Sequence, residues 1–233
     1  MKNQKLIPIS QLFNKSFAFY QDKFYIIATL ACIMFANFII MSLLRGLMRT
    51  WVYGNTSIVG LILLMLVIIL LLAVVNVWVQ MTFFYVIKEK DIKTDAKSLL
   101  VFSWPNIFAY SWVLFLTLIT VAIGFMLLII PGVIFFTWFS FSIYVLVFEE
   151  IKGTKALQRS RELVQDYWWP VFGRIFLFGI MATIISWVPV FGVVVSIFFF
   201  TPLGVIYGYF IYQDLKQIKS VVDLSLNKDC YEN

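Results

Sequence analysis

Apolar residues run along this chain in blocks far longer than a soluble helix needs, and polar residues collect in short intervals between them. Residues 107–148 and 171–212 are each 42 residues long and carry one charge between them, Arg174. As a continuous helix either block would extend about 63 Å, against the ~30 Å hydrocarbon core of a bilayer. Each block must therefore cross twice and turn near its middle. The breakers are in place: Pro131-Gly132 in the first block, Pro189 with Gly192 in the second. The whole pattern predicts spans over residues 24–44, 58–79 (with a continuation toward 87), 107–130, 133–148, 171–188 and 193–212. A stretch such as 61–75 is apolar on every side, whereas a barrel strand alternates. The fold class this predicts is all-α: an integral membrane protein with six transmembrane helices, in one domain, 1–233.

The polar intervals have a pattern of their own. Over residues 154–169, at 100° per residue, Ala156, Leu157, Ser160, Leu163, Val164, Tyr167 and Trp168 share one arc. Gln158, Arg161, Glu162, Gln165 and Asp166 share the other. Residues 9–23 divide in the same way, with Ile9, Leu12, Phe13, Phe17 and Tyr20 against Gln11, Asn14, Lys15 and Asp22. Both segments read as amphipathic helices, expected to lie in the headgroup plane with the aromatic side down. Thr154 is the expected N-cap of the later one. The two also align: Lys15-Ser16 with Arg159-Ser160, and Gln21-Asp22 with Gln165-Asp166. A third, poorer match starts at Lys97-Ser98. The expectation is three repeats of one unit, a surface helix followed by a membrane hairpin.

Composition agrees with lipid as the solvent. The chain is 62% hydrophobic and 13% charged, too few polar residues to clothe a soluble core. Charge then sets the orientation. Sixteen of the eighteen Lys and Arg residues fall in the N-terminal segment, the second and fourth connections (with Arg174 just inside the fifth span) and the tail, 213–233. Only Arg45 and Arg49 fall on the other side. The positive-inside rule places both termini in the cytoplasm of a cell-membrane protein. The net charge of +6 follows from this asymmetry and from attraction to anionic lipid, and implies no nucleic acid. The first span follows a polar helix without a small-residue cleavage site, and reads as retained. Cys32 and Cys230 are poorly placed to pair.

The region 127–169 resembles a known family. It has Leu127-Leu128-Ile129-Ile130-Pro131-Gly132, then the acidic pair Glu149-Glu150, Gly153, Ala156-Leu157, Ser160 and Trp168-Trp169. The end of the chain fits as well, from Pro202-Leu203-Gly204 to Tyr212-Gln213-Asp214-Leu215. These motifs resemble the bacterial multi-pass family that includes the membrane domain of some glycerophosphodiester phosphodiesterases and many stand-alone membrane proteins. The likeness covers roughly the last 110 residues and implies a six-helix fold. It carries no activity over, because in two-domain relatives hydrolysis belongs to a soluble domain using histidines and metal-binding carboxylates. This sequence has no histidine.

Candidate chemistry is sparse. No phosphate loop, zinc spacing or nucleophile elbow is present, so no catalytic residue, cofactor or metal is expected. Glu149 and Glu150 are expected to be solvated or to pair with neighbours such as Lys152 or Lys155; with Asp166 they are the only acids that an intramembrane enzyme could use. Asn76 and Gln80, four apart, share a helix face and are candidate intramembrane polar contacts. Lys155, Arg159, Arg161 and Arg174 are candidate contacts for a lipid phosphate, which guanidinium geometry suits. Gly173, Gly179, Gly192, Gly204 and Gly208 are candidate sites of close helix contact. The expected function is that of a non-catalytic membrane protein. It would meet anionic lipids, partner proteins or further copies of itself through a basic cytoplasmic face. The alternative is a small transporter or transport accessory for a neutral or lipid-like substrate.

Overall fold

A computed structural model describes residues 6–52, 58–89, 96–188 and 191–231. All the regular structure among them is helical. The helices are α1 (Ile9–Asp22), α2 (Phe24–Val52), α3 (Ile58–Lys88), α4 (Ala96–Ser103), α5 (Ile107–Leu127), α6 (Ile129–Phe139), α7 (Ser142–Tyr144), α8 (Thr154–Val164), α9 (Trp168–Ser186), α10 (Phe191–Val195) and α11 (Thr201–Tyr231). Short 3₁₀ turns, Trp104–Asn106 and Gln165–Tyr167, lead into α5 and α9; π-helical turns, Val145–Glu149 and Ser196–Phe200, follow α7 and α10. Six continuous segments are long and apolar enough to cross a membrane: Phe24–Gly46, Leu63–Lys88, Ala96–Leu127, Ile129–Glu149, Thr154–Ser186 and Phe191–Val221. The protein is an all-α, multi-pass membrane protein.

The hairpin between α5 and α6 turns three residues before the predicted breaker. Leu128 is extended, with φ −166° and ψ 157°, and Pro131 sits inside the first turn of α6. Amides of a first turn have no intrahelical acceptor, so a residue without an N–H is suited to that place. Gly132 serves close packing instead. A Cβ there would come within 2.5 Å of the Phe125 ring, so the two antiparallel helices meet at a glycine. At the second hairpin Pro189 lies outside the described residues. Gly192 closes that corner, since its Cβ would reach 2.5 Å from the Ile185 carbonyl oxygen. One other boundary, at the end of α2, lies beyond the one the sequence predicts, and another, at the end of α3, takes the longer of the expected bounds. α2 runs on to Val52, which places Arg45 on a helix rather than a loop, and α3 continues to Lys88.

Burial is uneven along the bundle. The core comprises Ile27, Leu30 and Ala31 of α2, Val79, Met81 and Phe83–Ile87 of α3, Tyr110 and Val113 of α5, Phe141 and Tyr144–Val147, and Leu203, Ile206, Tyr207, Ile211, Tyr212, Leu215 and Ile218 of α11. All belong to the end of the bundle where the long connections lie. Toward the opposite end Leu63–Leu71, Leu127–Ile130 and Ile184 are exposed or half-exposed apolar side chains. Such surface is at home against hydrocarbon, where no hydrophobic force separates lipid from helix. The centre of the core is aromatic. Tyr144 packs on Phe84 at 5.0 Å and on Tyr212 at 5.9 Å between ring centroids, and its hydroxyl donates to the Val205 carbonyl at 3.0 Å.

The apolar arcs of the short connecting helices face inward, fully in α8 and in part in α1. Ala156, Leu157, Ser160, Leu163 and Val164 of α8 are buried against α5, α6, α7 and α11. In α1 the buried line is Leu12, Ser16 and Tyr20, packed on α11, while Ile9 and Phe17, and Phe24 at the start of α2, remain outside. Protein covers the α8 arc and the Leu12, Ser16 and Tyr20 line of α1. Thr154 is also not the cap: Gly153 occupies that position with φ 66° and ψ −143°, a backbone region that side chains disfavour.

One pair recurs three times. Leu12 and Ser16 are 1% and 0% exposed, Leu99 and Ser103 are 1% and 0%, and Ala156 and Ser160 are both 0%. Each is an apolar residue and a serine four apart on the short helix that precedes a membrane hairpin. The inward serine of the middle unit is Ser103, five residues beyond the Ser98 that the sequence alignment selects.

Candidate functional site: the basic connector end

Side chains from distant parts of the chain converge at the end of the bundle that holds the connections. Glu149 ends the π turn after α7, which aims its carboxylate across the bundle. It accepts from the Tyr212 hydroxyl at 2.7 Å, from Arg159 Nε at 3.2 Å and lies 3.3 Å from Lys216 Nζ. Its side chain is only 11% exposed. Arg159 also reaches Glu162 at 3.4 Å. The next residue, Glu150, adopts a left-handed conformation with φ 59° and turns outward to Lys88, 2.9 Å away. The hydrogen bond and positive charge of Lys88 hold the Glu150 carboxyl below its ordinary pKa. Lys219 pairs with Asp166 at 2.6 Å.

The N-terminal segment is held at the same end. The Ile7 amide donates to Asp214 Oδ2 at 2.8 Å, and Arg174 Nη2 donates to the Ile7 carbonyl at 2.6 Å. Arg174 Nη1 also reaches the Pro170 carbonyl at 3.4 Å. Ile7 is thus gripped by an acid from α11 and a guanidinium from α9. These contacts bring the N-terminal segment, the end of α3, α8 and the start of the tail to one face.

The four candidate phosphate contacts do not form one pocket. Arg159 is engaged by two carboxylates, and Arg174 is 8% exposed and engaged by backbone carbonyls. Lys155 is exposed. Arg161 stands over the Trp138 ring, 4.6 Å from its centroid, a cation–π contact. Neither Lys155 nor Arg161 meets a carboxylate among the described residues. The expected pairing of Glu149 and Glu150 with Lys152 or Lys155 gives way to Arg159, Lys216 and Lys88, because the backbone reverses between the two acids.

Asn76 and Gln80 are partly exposed and make no side-chain hydrogen bond among the described residues. The intramembrane polar contacts lie elsewhere. Asn37 Nδ2 donates to the Leu72 carbonyl at 3.0 Å, joining α2 to α3. Trp78 Nε1 donates to the Leu100 carbonyl at 3.0 Å and meets Ser103 Oγ at 3.1 Å, with Thr82 Oγ1 3.1 Å from the same serine. Ser160 Oγ donates to the Trp138 carbonyl at 2.6 Å, tying α8 to α6. The recurrence of Ser16, Ser103 and Ser160 on apolar arcs was the available signal.

Two cavities border this region. A small one of about 170 Å³ lies between α3, α5 and the π turn, lined by Tyr85, Lys88, Asn106, Glu150 and Lys152 among others. A larger one of about 600 Å³ runs along α9, where Phe172, Phe176, Gly179, Thr183 and Trp187 face Phe136 of α6. Beside its inner end Trp168 stacks flat on Phe172, centroids 5.2 Å apart and planes at 2°. The Trp168 indole N–H is buried and has no acceptor among the described residues, which ordinarily costs about 1–3 kcal/mol. Among the described residues, no group of three or more His, Cys, Asp or Glu side chains gathers as a metal site would require.

Comparison with protein-family models, with curated proteins and with solved structures finds no match to this chain.

Proposed function

We propose that this chain is a non-catalytic protein of the cell membrane that collects anionic lipid beneath the bilayer through its connector end, with both termini in the cytoplasm. What supports this is the convergence of the connections on one face. The ion pairs there join parts of the chain that are 62 residues apart in Lys88–Glu150 and 53 apart in Lys219–Asp166. They engage Glu149, Glu150, Glu162 and Asp166 and leave Lys97, Lys155 and Arg161 outside any ion pair among the described residues. A face so arranged draws acidic headgroups at about 1 kcal/mol per basic residue near the surface.

The purified full-length chain should retain phosphatidylglycerol over phosphatidylcholine several-fold when equimolar mixtures compete and adducts are counted by native mass spectrometry. Equal retention removes anionic lipid from the proposal. Orientation has its own test. With Cys32 replaced by serine, Cys230 should react with an impermeant maleimide only after the inner face is opened, and a cysteine at Asn55→Cys should react from outside. The reverse pattern overturns the cytoplasmic assignment.

A further inference from the structure

We propose that the small cavity between α3, α5 and the π turn after α7 binds a phosphate group, with Tyr85, Lys88 and Lys152 as its donors. The proposal rests on the anionic-lipid reading above and deepens it, giving the basic face one built seat.

Three separate stretches of chain bring polar groups to this cavity. Tyr85 and Lys88 are three apart on α3 and share a helix face. Lys88 Nζ stands 5.9 Å from the Tyr85 ring centroid. Asn106 ends the 3₁₀ turn before α5, and Glu150 and Lys152 follow the π turn. Met81, Ala109 and Leu146 are among the apolar walls. Lys88 closes one membrane-length segment, Leu63–Lys88, and Glu149 closes another, Ile129–Glu149. The cavity therefore lies at the level of the headgroups, outside the hydrocarbon core.

Volume and donors together select the occupant. At about 170 Å³ the cavity has room for roughly five waters at ~30 Å³ each. That is more than one structural water fills, and well below the ~300 Å³ at which pockets for drug-sized ligands begin. A headgroup-sized fragment matches it. Tyr85 is 5% exposed, and its oxygen already accepts from Asn106 Nδ2 at 3.0 Å. Its phenol proton has no acceptor among the described residues, although the side chain lines the cavity. A buried donor so placed calls for an acceptor inside. The lining also carries two positive charges, Lys88 and Lys152, against one negative, Glu150. The Glu150 carboxylate is held by Lys88 at 2.9 Å, so the surplus charge favours an anion. These donors come from separate elements and not from one guanidinium plane. Such an arrangement suits the tetrahedral oxygens of phosphate, which lysine binds as a point charge, better than a flat carboxylate.

The test has two arms, both on the full-length chain. In detergent, glycerol 3-phosphate, inorganic phosphate and acetate are titrated calorimetrically at constant ionic strength. In nanodiscs, retention of phosphatidylglycerol over phosphatidylcholine is read by native mass spectrometry. Tyr85→Phe removes only the hydroxyl, and Ala109→Leu fills the cavity. Each should weaken phosphate binding at least fivefold. Neither changes the net charge, so a general pull of the basic face cannot produce that loss. If Ala109→Leu does not purify folded, Lys152→Gln, at an exposed position, takes its place beside Tyr85→Phe. Loss of phosphatidylglycerol retention in the variants assigns the seat to a lipid headgroup. Loss of glycerol 3-phosphate alone assigns it to a free phosphate ester. Either result upholds the site. Equal binding by wild type and variants in both arms overturns it, as does acetate binding as tightly as phosphate. If phosphatidylglycerol is still preferred equally by wild type and variants and no free phosphate binds, the site fails and the broader face stands. If glycerol 3-phosphate binds but no lipid preference is seen, the face fails and the site stands.

Discussion

Gly208→Ala should destabilise the folded bundle by about 1–3 kcal/mol, the usual range for adding volume to a packed core. A Cβ at position 208 would run into the Tyr144 hydroxyl, with the ring's Cζ 2.9 Å away. Tyr144 has little room to retreat. It is held by Phe84 and Tyr212 and by its hydrogen bond to the Val205 carbonyl. The thermal midpoint in detergent should fall by several degrees. Gly173→Ala, at a helical glycine with open space around it, should leave the midpoint unchanged or raise it slightly. Because the nearest colliding atom is the hydroxyl, Tyr144→Phe should recover part of the loss in the double variant, a coupling that neighbouring sites show. Equal midpoints for the wild type and Gly208→Ala would contradict this packing.

Glu149→Ala should cost about 1–3 kcal/mol. Removing one member of a buried pair typically costs about 3–5 kcal/mol. The discount here follows from exposure, since the Arg159 side chain is 33% and that of Lys216 46% open to solvent. The substitution leaves Arg159, Lys216 and the Tyr212 hydroxyl facing a gap where their shared acceptor stood. Glu149→Gln should be milder, since an amide oxygen still accepts from Tyr212. Glu150→Ala should change little, because that residue's side chain is 78% exposed and its pairing with Lys88 is screened. Thermal midpoints of the three variants at low and high salt decide the matter. A Glu150 effect as large as that of Glu149 would refute the ranking.

The number of long apolar helices was legible because hydrocarbon admits few alternatives: a backbone without water must close its own hydrogen bonds. Exact turns were less so. Pro131 looked like the corner, but a residue lacking an N–H is as well suited to the first turn of α6, and Leu128 makes the bend. The buried arc was drawn correctly as far as Val164, where α8 ends short of the predicted 169, yet amphipathicity says only that one face avoids water. It does not say whether lipid or protein covers it, and here protein does. The same gap separates Asn76 and Gln80 from Asn37, Trp78, Thr82 and Ser103. A polar side chain in a span needs a partner, but which ones find one depends on which helix faces which. Gly179 and Gly173 carried the same composition signal as Gly208 and Gly192, and only the latter two lie against close neighbours. Arg174 was recognisable as unusual from its isolation; its acceptor, 167 positions upstream, was not.

The grip on Ile7 has a bearing on biogenesis. Asp214 stands 207 positions downstream of the amide it receives. While a ribosome is still making the middle of the chain, neither jaw of that grip is available, and α11, which covers Leu12 and Tyr20, has not yet been made. The inner side of α1 therefore has no α11 to cover it until the final span is made, and the last helix to be translated seats the first.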